Sequence, residues 1–260
     1  MIWRLGVVGY PVEHSLSPTL HVAGLKMAGL EGTSAKVPLG DNDREELRGL
    51  LGDSFDALSV TMPLKEFAAT ICDELDEVAQ RSGVVNSLLV RDGRVIGANT
   101  DGQGLVDALA AQFSLSLADR HVVVLGAGGA ARGIVDALVH ERAASVTVFG
   151  RTAANVERLT SSYENVHDHT NAPRSVDLIV NTLPADARPG IDEMASGVNP
   201  ETIALDVTYE PRLSPWRAAM AQRGCRSANG LGMLAYQAAL QMRWWWECEI
   251  DAARLFEAIQ

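Results

Sequence analysis

Cysteine is scarce in this sequence, and the few cysteines present fit none of the common cysteine-based sites. The 260 residues include 3 cysteines, Cys72, Cys225 and Cys248, which lie far apart and form no C-x-x-C pair. None of them has a histidine at a spacing that suits zinc. We therefore expect no metal site. Isolated thiols of this kind are typical of a reducing compartment, and we expect a cytoplasmic protein.

Basic residues are also few and scattered. Lys and Arg number 22 against 33 Asp and Glu, which gives a formal net charge of -11, and no basic block occurs. Nucleic-acid binding requires clustered cations that neutralise phosphates, so this composition argues against a nucleic-acid partner. Any anionic ligand has to be held by a few local groups.

Long apolar runs are missing too. The stretch MIWRLGVVGYP has too short an apolar run for a signal peptide, and no segment approaches the ~20 apolar residues of a membrane span. Hydrophobic residues make up 47% and charged residues 21% of the chain, as in globular proteins. We expect one large or two ordinary domains with a packed core and no membrane. The expected oligomeric state is a monomer or homodimer.

The first part of the chain alternates strand-length apolar runs with segments of helical period. Strands are predicted at 4–9, 33–39 and 56–62, and helices at 18–29, 42–51 and 63–81. This βαβα order predicts a mostly parallel sheet. Asp92-Gly93, between two alternating runs, predicts an antiparallel hairpin of 86–90 with 95–98.

A second series of strands and helices follows a predicted helix at 102–113. It contains the strand HVVVLG, a glycine-rich turn, a helix, and the apolar runs SVTVFG, VDLIVNT and TIALDVT. A βα unit with its own glycine turn predicts a second domain. Two helical stretches, 231–246 and 251–258, end the chain without a further strand, so we expect them to return to the first domain. The predicted domains are 1–101 with 232–260, and 102–231.

The glycine turn has the features of a dinucleotide-binding site. Gly126, Gly128 and Ala131 form G-x-G-x-x-A directly between an apolar strand and a helix. The first glycine allows the tight turn, the second lets a pyrophosphate approach the backbone, and the small third residue permits close packing of helix on sheet. The helix amino terminus then faces the anion. We interpret the turn as a dinucleotide site rather than as a merely structural turn.

The end of the next strand favours NADP over NAD. Where an NAD site commonly has an acidic residue for the ribose 2′-hydroxyl, this chain has Gly150, Arg151 and Thr152. Arg151 offers a planar fork of donors to a 2′-phosphate, and Thr152 offers a hydroxyl. The alternative is that Arg151 is an ordinary surface arginine at the start of a helix.

Lys65 and Asp101 follow predicted strands, and local structure does not fully account for charged residues at these positions. Lys65 falls in the first turn of the helix that starts at Pro63, where the helix dipole disfavours a cation by about 0.3 to 1 kcal/mol. Open α/β sheets bind ligands at the carboxyl ends of strands, and a lysine beside a carboxylate can relay a proton. The alternatives are a solvated Lys65 paired with Glu66 or Glu74, and Asp101 or Thr100 as a helix cap.

Four further polar residues are candidates for ligand contact. Asn86 lies in an apolar neighbourhood, and Gln237 lies on the stripe of its helix that should face protein; each can also be a structural amide. Ser15 and Ser17 follow the first strand in YPVEHSLSP. Ser17, which precedes a proline, is predicted to cap the next helix and can also bind a ligand. Capping does not account for Ser15, which we assign to substrate.

Seven motifs occur in the order and spacing of the shikimate dehydrogenases: GYPVEHSLSP, SVTMPLKE, GVVNSLL, GANTDGQG, GAGGAARG, GRT and NGLGMLAYQAA. The chain resembles this family over nearly its whole length. The resemblance implies a two-domain α/β fold, with an N-terminal α/β substrate domain, a Rossmann NADP-binding domain, and C-terminal helices that return to the first domain. It also implies NADPH-dependent, reversible reduction of 3-dehydroshikimate to shikimate in aromatic amino acid biosynthesis.

The resemblance implies a role for each matched residue. Lys65 and Asp101 would handle the proton. The substrate would be bound by Ser15, Ser17, Thr61, Asn86, Tyr209 and Gln237. The NADP pyrophosphate would be bound by Gly126, Ala127, Gly128, Gly129 and Ala130, the 2′-phosphate by Arg151 and Thr152, and the nicotinamide by Gly230 and Met233.

Departures from the family pattern leave alternatives open. Members often carry Asn before the Arg-Thr pair and a second arginine three residues after it, whereas this chain has Gly150 and Asn155. Either the NADP preference is weaker than usual or Arg158 substitutes for the missing contact. The competing functions are a quinate or dual-specificity dehydrogenase and a non-catalytic NADP-binding sensor. A sensor would have no reason to keep Lys65 and Asp101 together.

Overall fold

The chain forms two compact α/β units. The computed structural model describes residues 2–171, 173–184 and 197–260. The first unit consists of Met1–Leu105 and Leu234–Gln260, and the second consists of Val106–Met233. The C-terminal helices therefore belong to the first unit, which confirms their predicted return.

The first unit is built on a mixed sheet. The elements that lie wholly or partly in it are β1 (Ile2–Gly9), α1 (Ser17–Ala28), β2 (Glu31–Pro38), a 3-10 helix (Asp41–Glu46) continued by α2 (Leu47–Leu50), β3 (Ala57–Val60), α3 (Lys65–Thr70), β4 (Glu74–Leu75), α4 (Glu77–Ser82), β5 (Ser87–Arg91), β6 (Arg94–Ala98), α5 (Asp101–Phe113), α9 (Leu231–Trp246) and α10 (Ala252–Glu257). The strand order is β2-β1-β3-β5-β6-β4. Only β5 runs antiparallel to its neighbours, β3 and β6.

The predicted hairpin is confirmed. Asp92 and Gly93 have φ values of 52° and 75°, the left-handed conformation that a two-residue type I′ turn requires. The turn sets the register in which β5 and β6 pair, with Ser87 opposite Ala98.

The single helix predicted at 63–81 is wrong. The segment forms α3 and α4 with β4 between them, and β4 pairs in parallel with β6 at the edge of the sheet. Asp73 Oδ2 accepts a hydrogen bond from Val95 N of the hairpin at 2.7 Å. Asp76 then caps α4. These contacts with the hairpin, which local periodicity does not report, interrupt the helix.

The second unit is built on a parallel sheet. Its elements are β7 (His121–Leu125), α6 (Gly129–His140), β8 (Ser145–Phe149), α7 (Ala153–Ser162), β9 (Val166–Asp168), a short 3-10 helix (His169–Asn171), β10 (Leu178–Asn181), β11 (Ile203–Asp206), α8 (Pro215–Gln222) and β12 (Arg226–Ala228). The strand order is β12-β11-β10-β7-β8-β9. Read from β9, this is the 3-2-1-4-5-6 order of the dinucleotide-binding Rossmann fold, as predicted.

Each unit has its own apolar core. In the first, Val8, Leu58 and Leu88 from β1, β3 and β5 lie in one buried cluster. In the second, Val123 and Ile179 of the sheet pack in a cluster with Trp216 of α8. Strands β4, β9 and β12 were not predicted, because two or three residues are too few to show an alternation. Within the described ranges, no helix combines the length and apolarity needed to cross a membrane.

Candidate active site

The carboxyl ends of two parallel strands, β1 and β3, bring four predicted substrate-binding and proton-handling residues together. We refer to this side of the first sheet as its carboxyl edge. β1 and β3 pair in parallel, so the segments that follow them leave at the same edge. The segment after β1 carries Ser15 and Ser17, and the segment after β3 carries Thr61 and Lys65. A hydrogen bond from Thr61 N to Val8 O, 2.9 Å long, holds the two exits together.

The hairpin adds further polar residues to the same edge. Ser87 at the start of β5 lies opposite Ser59 of β3 and opposite Ala98 of β6. Asn86, which precedes β5, and Asp101, which follows β6, therefore lie beside the end of β3. Residues that are distant in sequence converge here because β5 is antiparallel to both of its neighbours.

Lys65 and Asp101 form a buried ion pair at this edge. Lys65 Nζ lies 2.6 Å from Asp101 Oδ2, and the side chains are 13% and 7% exposed. Lys65 is the first residue of α3 and Asp101 the first residue of α5. Of the two alternative partners of Lys65, Glu74 pairs with Arg94. A carboxylate at this distance fixes the position of the ammonium group, which can donate a proton to a ligand.

The buried amide of Asn86 holds the second oxygen of Asp101. Asn86 Nδ2 donates to Asp101 Oδ1 at 2.8 Å, and Asn86 Oδ1 accepts from Thr100 N at 2.9 Å. A backbone N–H can only donate, so the contact with Thr100 fixes which end of the amide faces the carboxylate. Asn86 Nδ2 also lies 3.1 Å from Gln237 Oε1. Both oxygens of Asp101 thus have donors, and the carboxylate is held in one orientation.

Helix α9 brings Gln237 to this cluster. Thr100 Oγ1 donates to the carbonyl oxygen of Gln237 at 3.1 Å, and the Gln237 side chain is 7% exposed. A Cβ built on Gly104 of α5 would lie 2.6 Å from Gln237 N. A glycine at 104 therefore allows α5 and α9 to come this close.

The predicted cap of α1 by Ser17 is wrong. Ser17 is the first residue of α1, and Leu16 before it has helical dihedral angles without a side-chain cap. Instead, Ser15 Oγ accepts from Ser17 N at 3.3 Å and lies 3.3 Å from Ser17 Oγ. The hydroxyl two residues before the helix satisfies the helical N–H, so the two serine hydroxyls lie side by side.

The glycine turn of the second unit has the expected backbone geometry. Gly126 has φ of 112°, which favours glycine, and its N–H donates to Phe149 O at 2.7 Å. Ala131 is fully buried. A Cβ built on Gly128, which precedes α6, would meet no heavy atom of the described residues within 4 Å. The backbone at Gly128 is therefore open to a ligand at the amino terminus of α6.

The residues after β8 leave their polar groups at the surface. Arg151 and Thr152 are exposed, and the Thr152 side chain does not cap α7. A Cβ built on Gly150 would lie 2.6 Å from Val156 Cγ2 and 3.0 Å from Ala127 Cβ. The glycine that departs from the family pattern thus lets this loop pack against the glycine turn.

Tyr209, Gly230 and Met233 belong to the second unit. Asp206, which is 1% exposed, accepts from Thr208 N at 3.1 Å and from Thr208 Oγ1 at 2.8 Å. Gly230 N donates to Thr208 O at 3.0 Å. These bonds fix the start of the loop that carries Tyr209 and join it to Gly230.

Sequence reasoning missed several residues of the first unit. Thr100, which was predicted only as a possible helix cap, donates to the carbonyl oxygen of Gln237. His21 is fully buried, and its ring nitrogens lie 2.8 Å from Ser34 Oγ and 2.9 Å from Ser59 Oγ. Gln241 is also buried and accepts from Ser59 at 2.8 Å. One signal was available: His21 and Gln241 each lie one helical turn after a predicted site residue.

Burial of His21 predicts a pH-dependent stability. Desolvation lowers the pKa of His21 to about 3, whereas histidine in an unfolded chain titrates near 6.5. His21 therefore favours the folded state fully above about pH 6.5, and this contribution is lost as the pH falls toward 3, by up to about 1.4 kcal/mol per pH unit. We expect the free energy of unfolding, measured by urea denaturation with tryptophan fluorescence, to fall less steeply on acidification in His21→Gln. Equal slopes in the two proteins would contradict this assignment.

Comparisons with known proteins identify the family of the chain. The family model of the shikimate dehydrogenase substrate-binding domain matches residues 7–88, and the shikimate / quinate 5-dehydrogenase model matches residues 108–185. The shikimate dehydrogenase (NADP(+)) of Gluconobacter oxydans is 36% identical, covering 96% of this chain and 92% of the relative. That of Geobacillus kaustophilus is 32% identical, covering 92% of this chain and 91% of the relative.

A solved structure shows the same likeness in three dimensions. Shikimate 5-dehydrogenase from Thermus thermophilus, in complex with NADP(H) and shikimate, matches with a TM-score of 0.85 and 31% identity over 99% of this chain and 98% of that chain. With both units matched in sequence and in fold, the chain belongs to the shikimate dehydrogenase family.

Proposed function

We propose that this protein is an NADP-dependent oxidoreductase that catalyses the reversible reduction of 3-dehydroshikimate to shikimate in aromatic amino acid biosynthesis. The observation that carries the proposal is the Lys65–Asp101 pair, with 2.6 Å between Nζ and Oδ2, at the sheet edge where open α/β folds bind ligands. Burying an ion pair costs free energy, because both charges lose their hydration. A non-catalytic sensor would have no reason to retain such a pair. The names of the curated relatives support the same activity.

The side chains gathered at this edge suit a small ring that carries a carboxylate and several hydroxyls. The adjacent hydroxyls of Ser15 and Ser17 can both donate to the carboxylate. The remaining predicted contacts, to the ring hydroxyls, are Thr61, Asn86, Tyr209 and Gln237. Amides and hydroxyls both donate and accept, so they fit the hydroxyl groups of such a ring.

Lys65 and Asp101 manage the proton. Reduction of the ring ketone places negative charge on its oxygen, and a positioned donor stabilises that charge in the transition state. Lys65 Nζ donates the proton to this oxygen, and in the reverse direction it accepts the proton of the shikimate hydroxyl. Asp101 orients the ammonium through Oδ2 and is itself held by Asn86 through Oδ1.

The residues of the second unit fit NADP. Gly126 forms the tight turn, and Gly128 leaves backbone accessible at the amino terminus of α6, where a pyrophosphate binds. Arg151 and Thr152 place donors after β8, and residues 150–156 include no acidic side chain that would repel a 2′-phosphate. Gly230 and Met233 are the proposed nicotinamide contacts. When bound, the cofactor supplies or accepts the hydride.

A dehydrogenase that also accepts quinate is the second candidate, since one of the matching family models covers both substrates. A steady-state comparison of shikimate and quinate, each with NADP+ and NAD+, tests the proposal. We expect the highest kcat/KM for shikimate with NADP+. Comparable values for quinate would establish dual specificity, and no turnover of either acid would favour the NADP-binding sensor.

We further infer that the protein acts in the cytoplasm as a monomer or homodimer. The location is supported by the three free thiols, which suit a reducing compartment. Sedimentation velocity of the purified protein distinguishes the two oligomeric states.

A further inference from the structure

A chain of hydrogen bonds, buried except at its Ser34 end, runs through the first unit beside the proposed substrate site. It consists of Ser34 on β2, His21 on α1, Ser59 on β3 and Gln241 on α9, and it ends on the backbone carbonyl of Asn86. The last link is Gln241 Nε2 to Asn86 O, at 2.7 Å. His21, Ser59 and Gln241 are 0%, 6% and 1% exposed. We call these four side chains the buried relay.

The direction of every bond in the buried relay follows from its last link. A backbone carbonyl can only accept, so the Gln241 amide must place Nε2 toward Asn86, and its Oε1 accepts from Ser59 at 2.8 Å. The Ser59 hydroxyl has one hydrogen, which it donates to Gln241, so its oxygen accepts from Nε2–H of His21. A neutral histidine then accepts at Nδ1, and the donor is Ser34. One arrangement of protons satisfies all four side chains.

The buried relay involves the elements that carry or precede the proposed substrate contacts of the first unit. His21 lies four residues after Ser17 on α1, and Gln241 lies four residues after Gln237 on α9. Residues four apart share a helix face.

The strand members follow the same pattern. Ser59 lies two residues before Thr61, and alternate side chains of an extended chain lie on the same face. The carbonyl that accepts from Gln241 belongs to Asn86 itself, the residue whose side chain holds Asp101.

We propose that the buried relay sets the positions of the substrate-binding residues, with Ser59 and Gln241 acting as positioning residues for Asn86 and Gln237. This inference rests on the proposed function. The relay joins α1, β3 and α9 by hydrogen bonds, which have stricter distances and angles than apolar contacts. Because interior donors without partners are costly, the elements hold the spacing that completes all the bonds.

The first test is Ser59→Ala, with Ser87→Ala as the matched control. Ser87 lies opposite Ser59 in the neighbouring strand and is fully buried, and its hydroxyl has no hydrogen-bond partner among the described residues. Each substitution removes one buried hydroxyl, but only Ser59→Ala breaks the relay. We expect Ser59→Ala to raise the KM and Kd for shikimate about tenfold, as loss of roughly one hydrogen bond's free energy implies. Ser87→Ala should leave both values unchanged.

The KM for NADP+ distinguishes a loss of substrate positioning from a general disruption of the protein. It should be unchanged in both variants, because the relay does not include residues of the second unit. Equal effects of the two substitutions on shikimate binding, or no effect of Ser59→Ala, would overturn the inference.

Gln241→Glu provides a second test, because a side chain that only fills space would not make shikimate binding depend on pH. A protonated glutamic acid can donate to Asn86 O and accept from Ser59, so it reproduces both bonds, whereas the carboxylate cannot donate. Burial raises the pKa of a carboxylic acid, so we expect near-normal Kd for shikimate at about pH 5.5 and loss of binding by about pH 8.5. Gln241→Met, of similar size, should bind weakly at both pH values.

The titratable groups near this position are His21 on α1 and, through Asn86, Asp101 on α5 with Lys65 on α3. Wild type and Gln241→Met carry the same groups, so their pH profiles provide the baseline. A Gln241→Glu profile parallel to that of Gln241→Met would refute the inference.

The outcomes also separate this inference from the proposed function. Wild-type protein that neither binds nor oxidises shikimate refutes the function itself. Wild-type activity together with unchanged shikimate binding in Ser59→Ala and Gln241→Glu refutes only the positioning role. If Ser59→Ala fails to fold, the pH profile of Gln241→Glu decides.

Discussion

Lys65→Met is expected to lower kcat for shikimate oxidation by about 100- to 10,000-fold, the range that general acid-base catalysis usually contributes. Methionine has nearly the length of lysine but carries no proton, so the charge on the reacting oxygen loses its donor. Affinity for NADP+ should be unchanged, because the residues proposed to bind it lie in the other unit. Steady-state kinetics and a direct titration with NADP+ measure the two effects.

Lys26→Met is the matched control for this prediction. The chain has only three lysines, Lys26, Lys36 and Lys65. Lys26 is exposed near the end of α1, within the same unit. Its replacement removes the same charge without touching Asp101, and kcat should be unchanged. Near-normal turnover in Lys65→Met would remove Lys65 from the mechanism.

Arg151→Ala is expected to raise the KM for NADPH roughly ten- to hundredfold and the KM for NADH by less than about twofold. The two cofactors differ only in the 2′-phosphate, to which a guanidinium can donate two charge-assisted hydrogen bonds. Arg151 is exposed and directly follows β8, so its loss should not disturb the core. KM values for both cofactors with 3-dehydroshikimate as substrate measure the difference.

Arg174→Ala serves as the control for Arg151→Ala. Arg174 is exposed in the same unit but precedes β10, at the edge where the parallel strands begin. Its loss should change neither KM. Equal rises in the KM values for NADPH and NADH in Arg151→Ala would show that Arg151 does not bind the 2′-phosphate. An unchanged KM for NADPH would point to Arg158 as the phosphate ligand, and Arg158→Ala would then show the rise.

Local rules predicted those parts of the structure that depend on neighbouring residues. Asp92-Gly93 indicated its hairpin because few other residue pairs adopt two consecutive left-handed conformations. The turn at Gly126 was recognisable because its spacing reflects a backbone requirement directly. The same rules failed where a distant partner competed, as at 63–81, where pairing of β4 with the hairpin interrupts the helical period.

In the candidate site, too, local sequence predicted some features and distant contacts decided others. Lys65 and Asp101 were selected because each follows a strand, but their contact, across 36 positions of sequence, depends on the antiparallel placement of β5. Ser17 shows the limit of local reasoning, since a serine before a proline is a common cap, yet here the Ser15 hydroxyl meets the helical N–H.

By itself, the sequence determined the α/β class, the glycine turn, the hairpin and the residue types able to handle a proton and a phosphate, because each of these depends on composition or on spacing within a few residues. Only the tertiary structure decided which polar groups meet. The bond between Asn86 and Gln237 joins residues 151 positions apart, and the buried relay joins two strands and two helices. Such contacts arise from how strands order themselves in a sheet and where a returning helix packs, and no local periodicity records either.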